Sequence, residues 1–143
     1  MVEDGPSPTP ADDLTPNDTR AWRLALLVLL AAAGLRAILS WLVPLLPDET
    51  YYWEWTRRPD ASYYDHPPGI AALVTFGTSL LGNTRAGVRI GPALAALAGS
   101  LALLLTARKI GGGRAALLTS LCLACMPLAA AGLVMATPDA PLL

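Results

Sequence analysis

Asp48, Glu49, Asp65, His66 and Asp139 are the side chains of this sequence best suited to chemistry. A carboxylate held where water is scarce can accept the proton of a hydroxyl, and its pKa responds to burial and to neighbouring cations. An adjacent Asp-His pair can meet a phosphate or a divalent metal, although two neighbouring ligands fall short of the three or more that a metal site needs. Asp65 and His66 both stay open as ligands of a metal or a phosphate. Four of these five residues fall in "PDETYYWEWTRRPDASYYDHPPG", residues 47–69, which packs five acids, two arginines, the only histidine, four tyrosines and two tryptophans between apolar segments. Simpler roles compete. Asp48 and Glu49 follow Pro47 at what reads as a helix start, where carboxylates cap the N-terminus and meet its dipole, and "YYDHPPG" has the stiff backbone of a surface turn.

The rest of the chain must position this stretch, and its composition says how. Of 143 residues 54% are hydrophobic and mean hydropathy is +0.48, with only 6% aromatic side chains. That profile favours membrane-embedded helices over a soluble core. A formal charge of -1 argues for neither a nucleic-acid surface nor a cationic partner. Residues 1–19 are rich in proline and acid, hold almost no large apolar side chain, and read as a disordered tail. They lack the basic start of a secretory signal, so no cleavage is expected.

Leu24 to Leu46 form an apolar run of 23 residues, roughly 34 Å as a helix, against a bilayer core of about 30 Å. Trp22 and Trp41 lie near where the two interfacial belts should fall. Arg36 sits inside this run and must face the bundle, a wet cavity or lipid phosphate, with an anionic ligand as the sharper alternative. Residues 47–86 form a loop with interfacial helices, of which Ile70 to Leu81 is too short to span and reads as surface-lying or re-entrant. Second and third spans are expected over 87–107 and 115–136, with close packing at Gly99 and Ser100 and a tight turn at 108–114. Residues 137–143 open a further loop and the start of a fourth helix.

The tight "RKIGGGR" turn favours the cytoplasmic side under the positive-inside rule. The N-terminus then shares that side, while residues 47–86 and "TPDAPLL" share the outer face. Asp139 is thereby brought to the level of Asp48 and Asp65. The aromatics of "YYWEW" suit an interfacial belt, and Tyr52 and Trp55 could also stack on a sugar ring. Cys122 and Cys125 form a C-x-x-C inside an apolar helix without a second pair, which makes them packing residues. Pro127 is expected to kink the third span.

"DETYYWEW", "YYDHPPG", "GVRIGPAL" and "ATPDAPLL", in this order and spacing, resemble the N-terminal third of bacterial membrane glycosyltransferases of the dolichyl-phosphate-mannose protein mannosyltransferase-like group, relatives of the aminoarabinose transferase that modifies lipid A. The similarity covers about residue 24 to the end. It implies an all-α integral membrane bundle, the N-terminal part of a GT-C fold, located in the cell inner membrane with its active face outside. It also implies a polyprenyl-phosphate-linked sugar donor and a lipid, glycan or protein acceptor, with metal dependence left open.

Carried over by motif, the resemblance makes Asp48 the catalytic carboxylate, with Glu49 beside it and Asp139 the acidic position after the third span. His66 then meets the donor phosphate, where the aminoarabinose transferase has a lysine, so that phosphate binding here depends on protonation. Arg58 or Arg85 is expected to help stabilise the departing polyprenyl phosphate in an inverting displacement. The chain stops where a fourth apolar segment begins, so it reads as part of a larger enzyme and is expected to be inactive alone. The alternative is a non-catalytic membrane scaffold or subunit whose outer loop only anchors it. A transporter fragment is a third option, without a second repeat to support it.

Overall fold

The structure is a computed structural model that describes residues 16–63, 68–126 and 136. Four helices make up nearly all of it: α1 (Pro16–Leu42), α2 (Pro47–Trp55), α3 (Gly69–Leu81) and α4 (Arg85–Cys125). No strand occurs among the described residues.

Helix α1 begins at Pro16, well ahead of the apolar run, so residues 16–19 are helical rather than part of a disordered tail. Proline suits the first helical position because its missing N–H would go unbonded there anyway, and Asp18 in the first turn meets the positive end of the dipole. The Asp18 carboxylate also accepts from the backbone N–H of Gly113. That bond ties the helix start to a distant turn and explains why order extends beyond the hydrophobic segment.

Helix α4 is one element of 41 residues with a break: Gly111 and Gly112 leave helical geometry, Gly112 at φ +70°. Only glycine takes that left-handed conformation without strain. The contacts on either side show that the chain reverses there. Ala25 and Leu29 of α1 pack with both Leu104 and Ala116. Arg108 lies over the Trp22 ring at 4.5 Å, Gly113 meets Asp18, Arg89 reaches Ser40, and Arg36 reaches Leu123. The first arm, 85–110, therefore runs antiparallel to α1, and the second, 113–125, runs alongside it.

The first arm buries Val88, Pro92, Ala96, Ser100 and Leu104, a ladder at every fourth residue. Mostly small side chains on that face and at Ala21 and Ala25 let the helices approach closely, as membrane helices do. The outer faces stay apolar: Leu27, Leu30, Ile38, Leu42 and Leu118 are all about 60% exposed or more. Exposed leucines on this scale belong against lipid. Two helices, α1 and α4, are long and apolar enough to cross a bilayer. The expected third span is represented by the second arm of α4 alone, because residues 127–135 lie outside the described residues.

Helix α3 is docked against the start of α4 at glycines, beside the core cluster that Val74 and Val88 share. A methyl group at Gly91 would run into the backbone carbonyl of Leu73, and one at Gly87 into that of Gly82. The close approach is thus set by Gly87 and Gly91, four apart on one face. Thr84 caps α4 through its hydroxyl, which accepts from the N–H of Gly87 at 3.0 Å. Short α3 accordingly lies beside the first arm and forms a floor under α2.

Candidate active site at the loop end of the bundle

The order of residues around Pro47 decides where the carboxylates go. Pro44 and Pro47 stop α1 and restart the chain as α2, with Leu46 as the N-terminal cap, Pro47 first, Asp48 second and Glu49 third. A glutamate in third position can fold back onto the cap. Glu49 does so, its Oε2 accepting from the Leu46 N–H at 2.9 Å. Successive helical residues differ by about 100° around the axis. Glu49 therefore points into the bundle, 1% exposed, while Asp48 beside it is exposed.

Inside, Glu49 meets Arg89 of α4. The Arg89 Nε donates to Glu49 Oε1 at 2.7 Å and Nη2 donates to Oε2 at 2.5 Å, a bidentate fork. Nη2 also donates to the carbonyl of Pro44 at 2.9 Å, and Nη1 donates to those of Val43, at 2.9 Å, and Ser40. All five N–H groups of the guanidinium are thus used. Glu49 is equally full, because Oε1 accepts from the Ala136 N–H at 2.8 Å as well. Burial by itself would raise the Glu49 pKa. The Arg89 hydrogen bonds, the N–H groups of Ala136 and Leu46 and the arginine charge outweigh it and hold the carboxyl below its usual range.

This pair gathers four segments at one level: the end of α1, the start of α2, the first turn of α4 and Ala136. Around it Tyr52, Trp55, Ile70, Ala71, Val74, Val88 and Ala136 form a compact core. Tyr52 and Trp55 therefore face inward, as α2's packing surface. Trp55 stacks on Tyr63 with ring centroids 4.4 Å apart and planes 2° from parallel. The Tyr63 hydroxyl donates to the Trp55 carbonyl at 3.1 Å. Trp53 reaches across to the α3–α4 turn, donating from its indole N–H to Asn83 at 3.0 Å.

Asp48 is left on the open side of α2 with no hydrogen bond or ion pair to any described residue. The arginines expected near it are exposed but apart. Arg58 lines a cleft of about 350 Å³ with Glu54, Trp55, Asp60 and Tyr63, whereas Arg85 lines a different one beside Trp41 and Asn83. Asp65, His66 and Asp139 lie outside the described residues, although Ala136, three residues before Asp139, is fixed at the pair. Among the described residues no three His, Cys, Asp or Glu side chains come together as metal ligands. Cys122 and Cys125 are exposed and unbridged, so they line the outside of the second arm rather than pack within it.

The residue that sequence reasoning missed is Arg89. It looked like one of several interfacial arginines, four residues into a helix. The usable signal was "GVRIG": an arginine between two glycines of a close helix contact has no route to water and must find an acid.

The described residues, helical apart from short connections, include two apolar helices of bilayer length, which point to a membrane protein. The family is shown by sequence comparison: the model for the dolichyl-phosphate-mannose-protein mannosyltransferase family matches residues 65–143, more than half of the chain, and the chain belongs to that family. A glycosyltransferase of mannosyltransferase type, embedded in a membrane, is the class so defined. No curated protein and no solved structure matches the chain.

Proposed function

We propose that the protein transfers a sugar from a polyprenyl-phosphate-linked donor to an acceptor hydroxyl at the extracytoplasmic face of the inner membrane, within a GT-C fold, and that Asp48 is the base. The observation that carries this is the divergent fate of two neighbouring carboxylates. Glu49 is saturated by Arg89, Leu46 and Ala136 and has no lone pair left for a substrate proton, while Asp48 stands exposed one residue earlier on the helix that Glu49 anchors. Glu49 thus serves Asp48 as a positioning residue.

In the reaction Asp48 accepts the acceptor's proton as its oxygen bonds to the anomeric carbon. The bond from that carbon to the donor phosphate breaks, the phosphate leaves with the electron pair, and configuration inverts. Electrostatic stabilisation of a leaving phosphate needs cations aimed at it. His66 and one arginine, Arg58 or Arg85, are assigned to that task, with Asp65 and Asp139 completing the acidic rim. Tyr52 and Trp55 support α2 from beneath.

The test is replacement of the native gene by Asp48→Asn, with transfer of labelled mannose from polyprenyl phosphomannose to endogenous membrane acceptors as the readout. A general base contributes about 10²- to 10⁴-fold. Transfer should fall by that factor while membrane insertion and helix content stay at wild-type levels, since the Asp48 side chain bonds to no described residue. Unchanged transfer would remove Asp48 from the base role and leave the loop as an anchoring module.

A further inference from the structure

Two arginines in this bundle donate to carbonyls at or beside helix ends, and three of the five carbonyls they reach stand four residues before a proline. In an α-helix the carbonyl of residue i accepts from the N–H of residue i+4, and proline has none. Ser40 and Val43 stand four residues before Pro44 and Pro47, and their carbonyls accept from Arg89. Leu123 stands four residues before Pro127, and its carbonyl accepts from Arg36 Nη2 at 3.0 Å, with Ala124 sharing the same nitrogen at 3.4 Å. The last regular bond of α4 runs from the Met126 N–H to the carbonyl of Cys122, so Leu123 is the first that Pro127 orphans. No arginine serves Val88, which Pro92 deprives in the same way within α4. The pairing belongs to helix ends.

Arg36 is 7% exposed and donates to no carboxylate among the described residues. A lone guanidinium at this depth is tolerated only where it meets fixed partial charges. Orphaned carbonyls at a helix C-terminus carry the negative end of the dipole. The guanidinium, costly in an apolar helix by itself, and the freed carbonyls at the end of α4 therefore offset each other.

We infer that Arg36 is a positioning residue that stands in for the N–H Pro127 lacks, ending the second arm of α4 at a fixed height and so placing the Ala136 backbone at Glu49. The role concerns how the third segment of the bundle is held and stands independently of which group is transferred.

The experiment uses the full chain with Cys122→Ser, Cys125→Ser and Ala136→Cys, and follows labelling of the thiol at position 136 by a membrane-impermeant maleimide. Ala136 is 0% exposed, so labelling starts slow. Arg36→Met should speed it at least ~10-fold, a loss of protection equivalent to about 1.4 kcal/mol, and Arg36→Lys should speed it less, because one ammonium can still serve Leu123. With Pro127→Ala also present, the N–H returns and Arg36→Met should change the rate less than ~3-fold. An unchanged rate in Arg36→Met, or the same acceleration with and without Pro127→Ala, would overturn the inference. Should Arg36→Met fail to insert, recovery of insertion on adding Pro127→Ala is expected, and equal failure of the double variant overturns it.

Discussion

Replacing Arg89 by methionine should reverse the direction in which acid affects stability. In the native protein Glu49 is ionised with its pKa held down. Its contribution is fully present above the ordinary carboxylate value of 4.5 and is lost as pH falls through the depressed folded value. Methionine keeps the apolar stem but removes five N–H donors. The carbonyls of Ser40, Val43 and Pro44 then lose their donor, and Glu49 keeps only the Leu46 and Ala136 N–H groups. Breaking one side of a buried ion pair costs about 3–5 kcal/mol. Burial, now unopposed by the guanidinium, takes the Glu49 pKa above its usual range, so the folded state holds its proton more tightly than the unfolded one. The variant should therefore be most stable at low pH and weaken as pH rises from about 4.5 towards the new folded value, with a slope of at most about 1.4 kcal/mol per pH unit. Denaturant melting of the chain in detergent micelles, followed by helix content from pH 3.5 to 7.5, measures both quantities. A variant within about 0.5 kcal/mol of wild type at neutral pH, or one that still loses stability on acidification, would refute the assignment of Glu49 and Arg89 as the clasp of the loop end.

Two further changes probe the elements that carry the clasp. Gly91→Val puts a branched side chain against the Leu73 backbone and should cost about 1–3 kcal/mol through displacement of α3, seen in the same melts. Gly112→Ala forces a side chain into the left-handed conformation at φ +70°; it should destabilise by about 1–2 kcal/mol, and an unaffected melting curve would show that the reversal does not need that geometry.

Much of the scaffold was visible in hydropathy, because the bilayer imposes a length on every spanning segment. The apolar run of α1 and the two arms of α4 announce themselves that way, and "RKIGGGR" marks the reversal through glycines. Helix starts were less legible. Pro16 and Asp18 carry the signals of a first turn, yet they sit in a stretch whose composition resembles a tail, and only the bond to Gly113, 95 residues away, settles the matter. The site divides in the same manner. Asp48 and Glu49 stood out by type, but nothing local separates a carboxylate that faces out from one that faces in until α2 has a start and Arg89 has a position. Arg36 drew notice because a charge in the middle of an apolar run demands a partner. Its partner proved to be a pair of backbone carbonyls, which leave no trace in side-chain chemistry beyond the proline that freed them.

Anchoring Glu49 from both sides also makes the loop sensitive to length rather than to composition. The Leu46 N–H and the Arg89 fork fix the rotational phase of α2 at its third residue, and every later residue inherits that phase in steps of about 100°. Tyr51, on the open side, inherits that phase and meets the Trp55 ring edge-on with centroids 4.8 Å apart. Adding or removing one residue between Pro44 and Glu49 would break the fit between the Pro44 carbonyl, the Leu46 N–H and the Glu49–Arg89 fork that holds α2 in this phase. Along this segment the spacing between proline and acid sets the register of the clasp, and the aromatic residues that surround it are its packing.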